Sequence, residues 1–234
     1  ITISIIPAIT AQITSGDRKA ARMTEESAVR VTGLISAPCA VGLAVLAEPV
    51  TALLGGYSGE KLALSASLMT VLGVCIVFNA LVLLTNAIMQ AHGHAGRPVV
   101  NMLIGGVLKL AAVYILTGNP NIGIVGTPIG TLLCYLCICV LNMVSIRRLL
   151  PQAPSLVKNL LRPLVPVLFM GAAAWGAWKV LALLGIGSRV LLCGVPIAVG
   201  VAVYALAVVA CKTITREDCQ LLPKGDKIAK LLRL

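Results

Sequence analysis

Charge is what this sequence has least of. Asp, Glu, Lys and Arg make up 12% of its 234 residues, about half the share in an ordinary soluble domain. Carboxylates are the scarcest, 8 against 19 basic residues, and aromatics are 3%. The 59% apolar fraction is therefore built from Leu, Val, Ile and Ala, and the mean hydropathy is +1.00. These shortages exclude several function classes. No acidic pair stands in a loop to hold a metal-bound pyrophosphate, and no nucleophile is followed by a base, so an enzyme is not expected. The 8 cysteines lie almost all in apolar segments, which rules out the disulfide framework of a small secreted domain. Cys134-x-x-Cys137 has no second pair nearby, and His92-x-His94 offers two ligands on a glycine-rich loop, too few for a metal. No metal or cofactor site is expected.

Long hydrophobic runs are what the chain does have. Segments of about 20 residues or more, enough to cross a bilayer, are Val31–Leu54, Leu62–Gln90, Pro98–Thr117, Ile122–Ile146, Leu164–Leu184 and Val190–Cys211. The fold class is an all-α polytopic membrane protein. Residues 1–12 read as the end of a further apolar helix whose start lies upstream, and 13–30 as a charged amphipathic connector at the interface. Residues 31–148 form a four-helix part and 149–163 a basic, proline-containing linker. Residues 164–211 form a two-helix hairpin, and 212–234 a basic tail with an amphipathic helix suited to anionic headgroups.

The net charge of +11 does not indicate nucleic acid, because the charges are sorted by side. If the connections alternate across the membrane, fifteen of the 19 basic residues fall on one side. Only Lys61 and Arg189 fall on the other, and Lys109 and Lys179 lie within spans. The positive-inside rule then places the basic loops and the C-terminus in the cytoplasm.

Lys109 is the exception that demands a reason. A lysine at the centre of a spanning helix costs roughly 2.5–3.5 kcal/mol on insertion scales. It is eleven residues from Pro98 and eight from Thr117, on the order of 12–16 Å from either end. Its side chain leans toward the helix N-terminus, away from the nearer surface. Lys179, by contrast, is close to the outer end of its helix beside Trp175 and Trp178, as a snorkelling anchor should be. Asn101, Gly105, Gly106 and Ala112 share the Lys109 face. On the preceding span Asn79, Asn86 and Gln90 recur within roughly 20° of one direction. These polar faces suggest a water-accessible cavity, with Lys109, Asn79, Asn86, Gln90 and Asn101 as candidate substrate-binding residues. Pairing with a backbone carbonyl or a carboxylate elsewhere would explain Lys109 structurally, and interhelical hydrogen bonds would explain the amides.

Three stretches carry a resemblance: IIPAITAQITSGD; LISAPCAVGLAVLAEPVTALLGG; and AIMQAHGHAGRPVVNMLIGGVLKLAAVYILTGNPNIGIVGTPIGTLLCYLCICVLN. The third has Gln and Gly before a Pro, a lysine-bearing helix, a short Asn-Pro turn and a glycine-rich helix start. Together they resemble the second half of stage V sporulation protein B and polysaccharide-biosynthesis transporters. These are lipid II flippase-like members of the superfamily that also holds the multidrug and toxin exporters. The resemblance implies a bundle of two six-helix lobes plus two C-terminal helices, and an N-terminal lobe as partner. It also implies alternating-access transport of an undecaprenyl-pyrophosphate-linked sugar across the bacterial plasma membrane, in contact with membrane lipids. An anionic pyrophosphate would give Lys109 its reason. A cation-coupled multidrug exporter is the alternative. It requires an intramembrane carboxylate, and only Glu48 lies within a span.

Overall fold

The computed structural model describes residues 2–150, 155, 159–160, 163–185 and 187–211, with side chains from residue 5 onward. The basic tail, and most of the linker, lie outside the described residues. The helices are α1 (Thr2–Thr14), α2 (Arg18–Val45), α3 (Ala47–Gly55), α4 (Gly59–Ala91), α5 (Gly96–Thr117), α6 (Gly126–Leu149), α7 (Leu164–Leu183) and α8 (Arg189–Ala210). A 3-10 turn, Gly123–Val125, leads into α6. Among the described residues there is no strand, and 6 helices (α2 and α4 to α8) are long and apolar enough to cross a membrane. The chain is an all-α, multi-pass membrane protein.

Local chemistry sets the boundaries. Gly16, at φ 80°, turns the chain between α1 and α2, and the Asp17 carboxylate accepts the Ala20 N–H at 2.9 Å as N-cap. From there α2 runs unbroken for 28 residues, so the charged segment expected as a separate connector is the first third of the spanning helix. The expected span Val31–Leu54 is instead interrupted. Pro49 has no N–H to give to the Val45 carbonyl four residues back, and the helix breaks at Leu46, with φ −100° and ψ 21°. Helix α3 then restarts at Ala47. Pro38 and Pro196 remain inside continuous helices.

Spatial order differs from chain order. Helix α2 packs on α4, α4 on α6, and α6 on α5. Helix α5 barely touches α4, its neighbour in sequence, and stands at the edge of the bundle with Leu110 and Tyr114 74% and 84% exposed. That outer face is apolar and exposed among the described residues.

Glycines permit the close approaches. A Cβ on Gly73 would stand 3.0 Å from the Ala40 carbonyl oxygen, between α4 and α2. One on Gly130 would stand 2.6 Å from Val113 Cγ2, between α6 and α5. This is the small-residue packing of helices in lipid, where apolar burial gives no drive for association. The α7–α8 hairpin docks on α2, where Tyr204 donates its hydroxyl to the Leu34 carbonyl at 2.6 Å. Between hairpin and α2 lies an apolar cavity of about 460 Å³ lined by residues such as Pro38, Leu43, Met170 and Pro196.

Candidate functional site

The five residues singled out from sequence are not brought together as one group. Asn101 on α5 and Asn86 on α4 do meet, through a residue of α6 that was not among them. Asn142, fully buried, accepts from Asn101 Nδ2 at 2.8 Å. Its own amide donates to Asn86 Oδ1 and Thr85 Oγ1, each at 2.8 Å. Asn101 also donates to Ser145 Oγ at 3.3 Å, and Thr85 donates to the Leu81 carbonyl at 2.7 Å. Asn86 Nδ2 faces Met102 Sδ at 3.5 Å.

The network thus ties α4, α5 and α6 at one depth, near the end of the bundle where Arg147 and Arg148 close α6. In a medium without water each amide must find its partners in the protein, and these do. The signal for Asn142 was in the sequence: an amide inside the apolar run CVLNMVS, three residues before Ser145.

Gln90 is exposed and Asn79 half-buried, and neither makes a side-chain hydrogen bond among the described residues. The reason is packing. Helix α5 barely touches α4, so only Asn86 of the α4 row comes near it, and α6 takes the Asn101 and Gly105 side of α5. Gly105 abuts the Ile138 side chain of α6, and a Cβ there would lie 3.3 Å from the Cys134 carbonyl. The Asn101 and Gly105 part of the stripe below Lys109 is therefore a helix-packing seam, whereas a Cβ on Gly106 would meet nothing within 4 Å.

Lys109 sits on that same side, half-buried, two turns beyond Asn101. Among the described residues it has neither an ion-pair partner nor a side-chain hydrogen bond. A primary ammonium held mid-helix in a low-dielectric medium is a strong local field. It is suited to attract an anion and to exclude a cation.

Lys179 behaves differently. Its Nζ lies 4.7 Å from the centre of the Trp178 ring and 5.8 Å from that of Trp175, a cation–π clasp at the far end of α7. No group of three or more metal-ligating side chains occurs among the described residues.

A second polar cluster, which sequence reading treated as a simple turn, lies beyond the Asn network. His92 Nε2 is 2.7 Å from Glu25 Oε1. This joins the α4–α5 turn to the first third of α2 across 67 positions of sequence, too far apart for any local pattern to reveal.

No curated protein matches the chain. A family model described as lipid II flippase MurJ matches residues 1–194, from α1 into the start of α8. The six spanning-capable helices agree with this match, which covers most of the chain, and lead to one conclusion: the chain belongs to the lipid II flippase MurJ family.

Proposed function

We propose that the chain works, together with a further lobe of the same transporter, in flipping an undecaprenyl-pyrophosphate-linked cell-wall precursor across the bacterial plasma membrane by alternating access. In this reading the basic loops and C-terminus face the cytoplasm. The substrate is a peptidoglycan precursor, or a related lipid-linked oligosaccharide if the likeness to stage V sporulation protein B is the closer one.

The observation that carries the reading is Lys109, an ammonium in the middle of a spanning helix with no ion-pair partner among the described residues, in a chain of the flippase family. Its role would be electrostatic attraction of the pyrophosphate as the head group passes, with no bond made or broken. Asn101, Asn86 and Asn142 would hold α5 in register on α6 so that Lys109 keeps its depth. Asn79 and Gln90 would contact substrate only if the other lobe encloses them. The apolar cavity between α2 and the α7–α8 hairpin has the chemistry to accept part of a polyprenyl chain. A central cation repels cationic drugs, so the multidrug reading is not favoured.

The test is transport by the full-length protein in proteoliposomes, following a fluorescent undecaprenyl-pyrophosphate sugar from one leaflet to the other. Translocation above that of protein-free vesicles is expected. Transport of an organic cation, with none of the lipid-linked sugar, would overturn the reading.

A further inference from the structure

The Glu25–His92 contact forms part of a cavity that the flippase reading does not use. The end of α1, the first third of α2, the α4–α5 turn and the end of α6 enclose about 170 Å³. Ile13, Leu149 and Leu150 make its apolar side, while Arg18, Arg22, Glu25, His92 and His94 make its polar side.

The charges there are unevenly matched. The Glu25 side chain is 2% exposed and bound to His92 at 2.7 Å, so its carboxylate is occupied. Arg22 pairs with Glu26 at 3.1 Å, and Glu26 also accepts the Ser155 N–H and hydroxyl, at 3.2 and 3.0 Å. Arg18 has neither an ion pair nor a hydrogen bond among the described residues. His94 Nδ1 is buried with no partner. An exposed guanidinium with no ion pair and a buried, orphaned ring nitrogen therefore line one cavity, and among the described residues the one carboxylate in its lining is already engaged. A buried polar atom such as His94 Nδ1 is normally satisfied.

We propose that this cavity binds a phosphate-class oxyanion. Arg18 supplies the charge and the planar donor pair that fits phosphate oxygens. His94 donates from Nδ1 in the tautomer that carries hydrogen there, and Arg22 adds charge from its Glu26-tethered position. The Glu25–His92 pair closes the base of the cavity. Two sources have this chemistry: the phosphodiester of an anionic phospholipid, whose first methylenes would lie on Ile13, Leu149 and Leu150, and a free phosphate from the aqueous phase.

Binding of a fluorescent-tailed phosphatidylglycerol to the full chain in detergent micelles tests the site, with variants Arg18→Gln, His94→Phe and the double variant. Lys19→Gln is the control, since Lys19 is exposed and outside the cavity lining. The double variant should bind about tenfold more weakly, and the control within about twofold of the parent. Thermal midpoints confirm that each variant folds, and the single variants carry the test if the double one does not. Two arms separate the sources. Displacement of the probe by inorganic phosphate assigns the site to free phosphate; displacement by phosphatidylglycerol alone assigns it to a lipid headgroup. Equal binding by parent and cavity variants, equal loss in Lys19→Gln, or displacement by phosphatidylcholine as readily as by phosphatidylglycerol would overturn the proposal.

Discussion

Replacing Asn142 with alanine should loosen the bundle more than any other single amide change. The side chain is 0% exposed and takes part in three side-chain hydrogen bonds of 2.8 Å. Interhelical hydrogen bonds in membranes average about 0.6 kcal/mol, so their loss accounts for roughly 2 kcal/mol. Asn86 Oδ1 would be left without its donor, a further penalty of about 1 kcal/mol or more. Thr85 keeps its bond to the Leu81 carbonyl and Asn101 its bond to Ser145, which caps the total at about 2–4 kcal/mol. For a chain of this size that corresponds to a fall in Tm of roughly 5–15 °C.

The assay is built into the molecule. Cys75, Cys134 and Cys139 are buried thiols, so a thiol-reactive fluorophore reports unfolding in detergent as they become accessible. Ser145→Ala, which removes one bond of 3.3 Å, should cost under about 1 kcal/mol. In a double-mutant cycle Asn101→Ala should add little once Asn142 is gone. An Asn142→Ala protein with an unchanged Tm, or one no worse than Ser145→Ala, would refute the view that this network fixes α5 and α6 to α4.

Two adjacent glycines give opposite expectations. Gly105→Leu drives a side chain into Ile138 and the Cys134 carbonyl and should destabilise by about 1–3 kcal/mol. A Cβ on Gly106 meets nothing within 4 Å, so Gly106→Leu should leave the thermal midpoint unchanged. Tyr204→Phe removes the 2.6 Å bond to the Leu34 carbonyl and should cost about 0.5–1.5 kcal/mol. The loss should appear as earlier protease cleavage of the α7–α8 hairpin in detergent-solubilised protein.

The spans were legible because length and apolarity alone identify a membrane helix. Even the break in the first complete span could be traced to Pro49, whose missing N–H fixes where α2 ends. Which helix touches which was not legible. Lipid is as apolar as a neighbouring helix, so hydrophobic patterning does not mark the buried face. The polar faces of α4 and α5 were therefore read as lining one cavity, whereas Asn86 and Asn101 are joined through Asn142 of α6. The structure shows that Gly126 and Gly130 form the surface of α6 against which α5 closes. For the site, Asn86 and Asn101 were identified without the Asn142 that joins them. Glu25 and His92 were not linked at all, since a contact spanning 67 positions leaves no local trace. Lys109 stood out because charge within hydrocarbon is costly wherever its partner is.

The most direct test of the account is therefore made at Lys109, in the full-length protein, with flipping of an undecaprenyl-pyrophosphate sugar as the readout. Loss of one charge-assisted contact should slow transport by Lys109→Ala roughly 10- to 100-fold. Lys109→Arg should retain much of it, and Lys109→Glu should abolish it, with membrane insertion and Tm close to the parent in each case. Transport by Lys109→Ala or Lys109→Glu at the parental rate would contradict the assignment of this ammonium to the substrate's pyrophosphate.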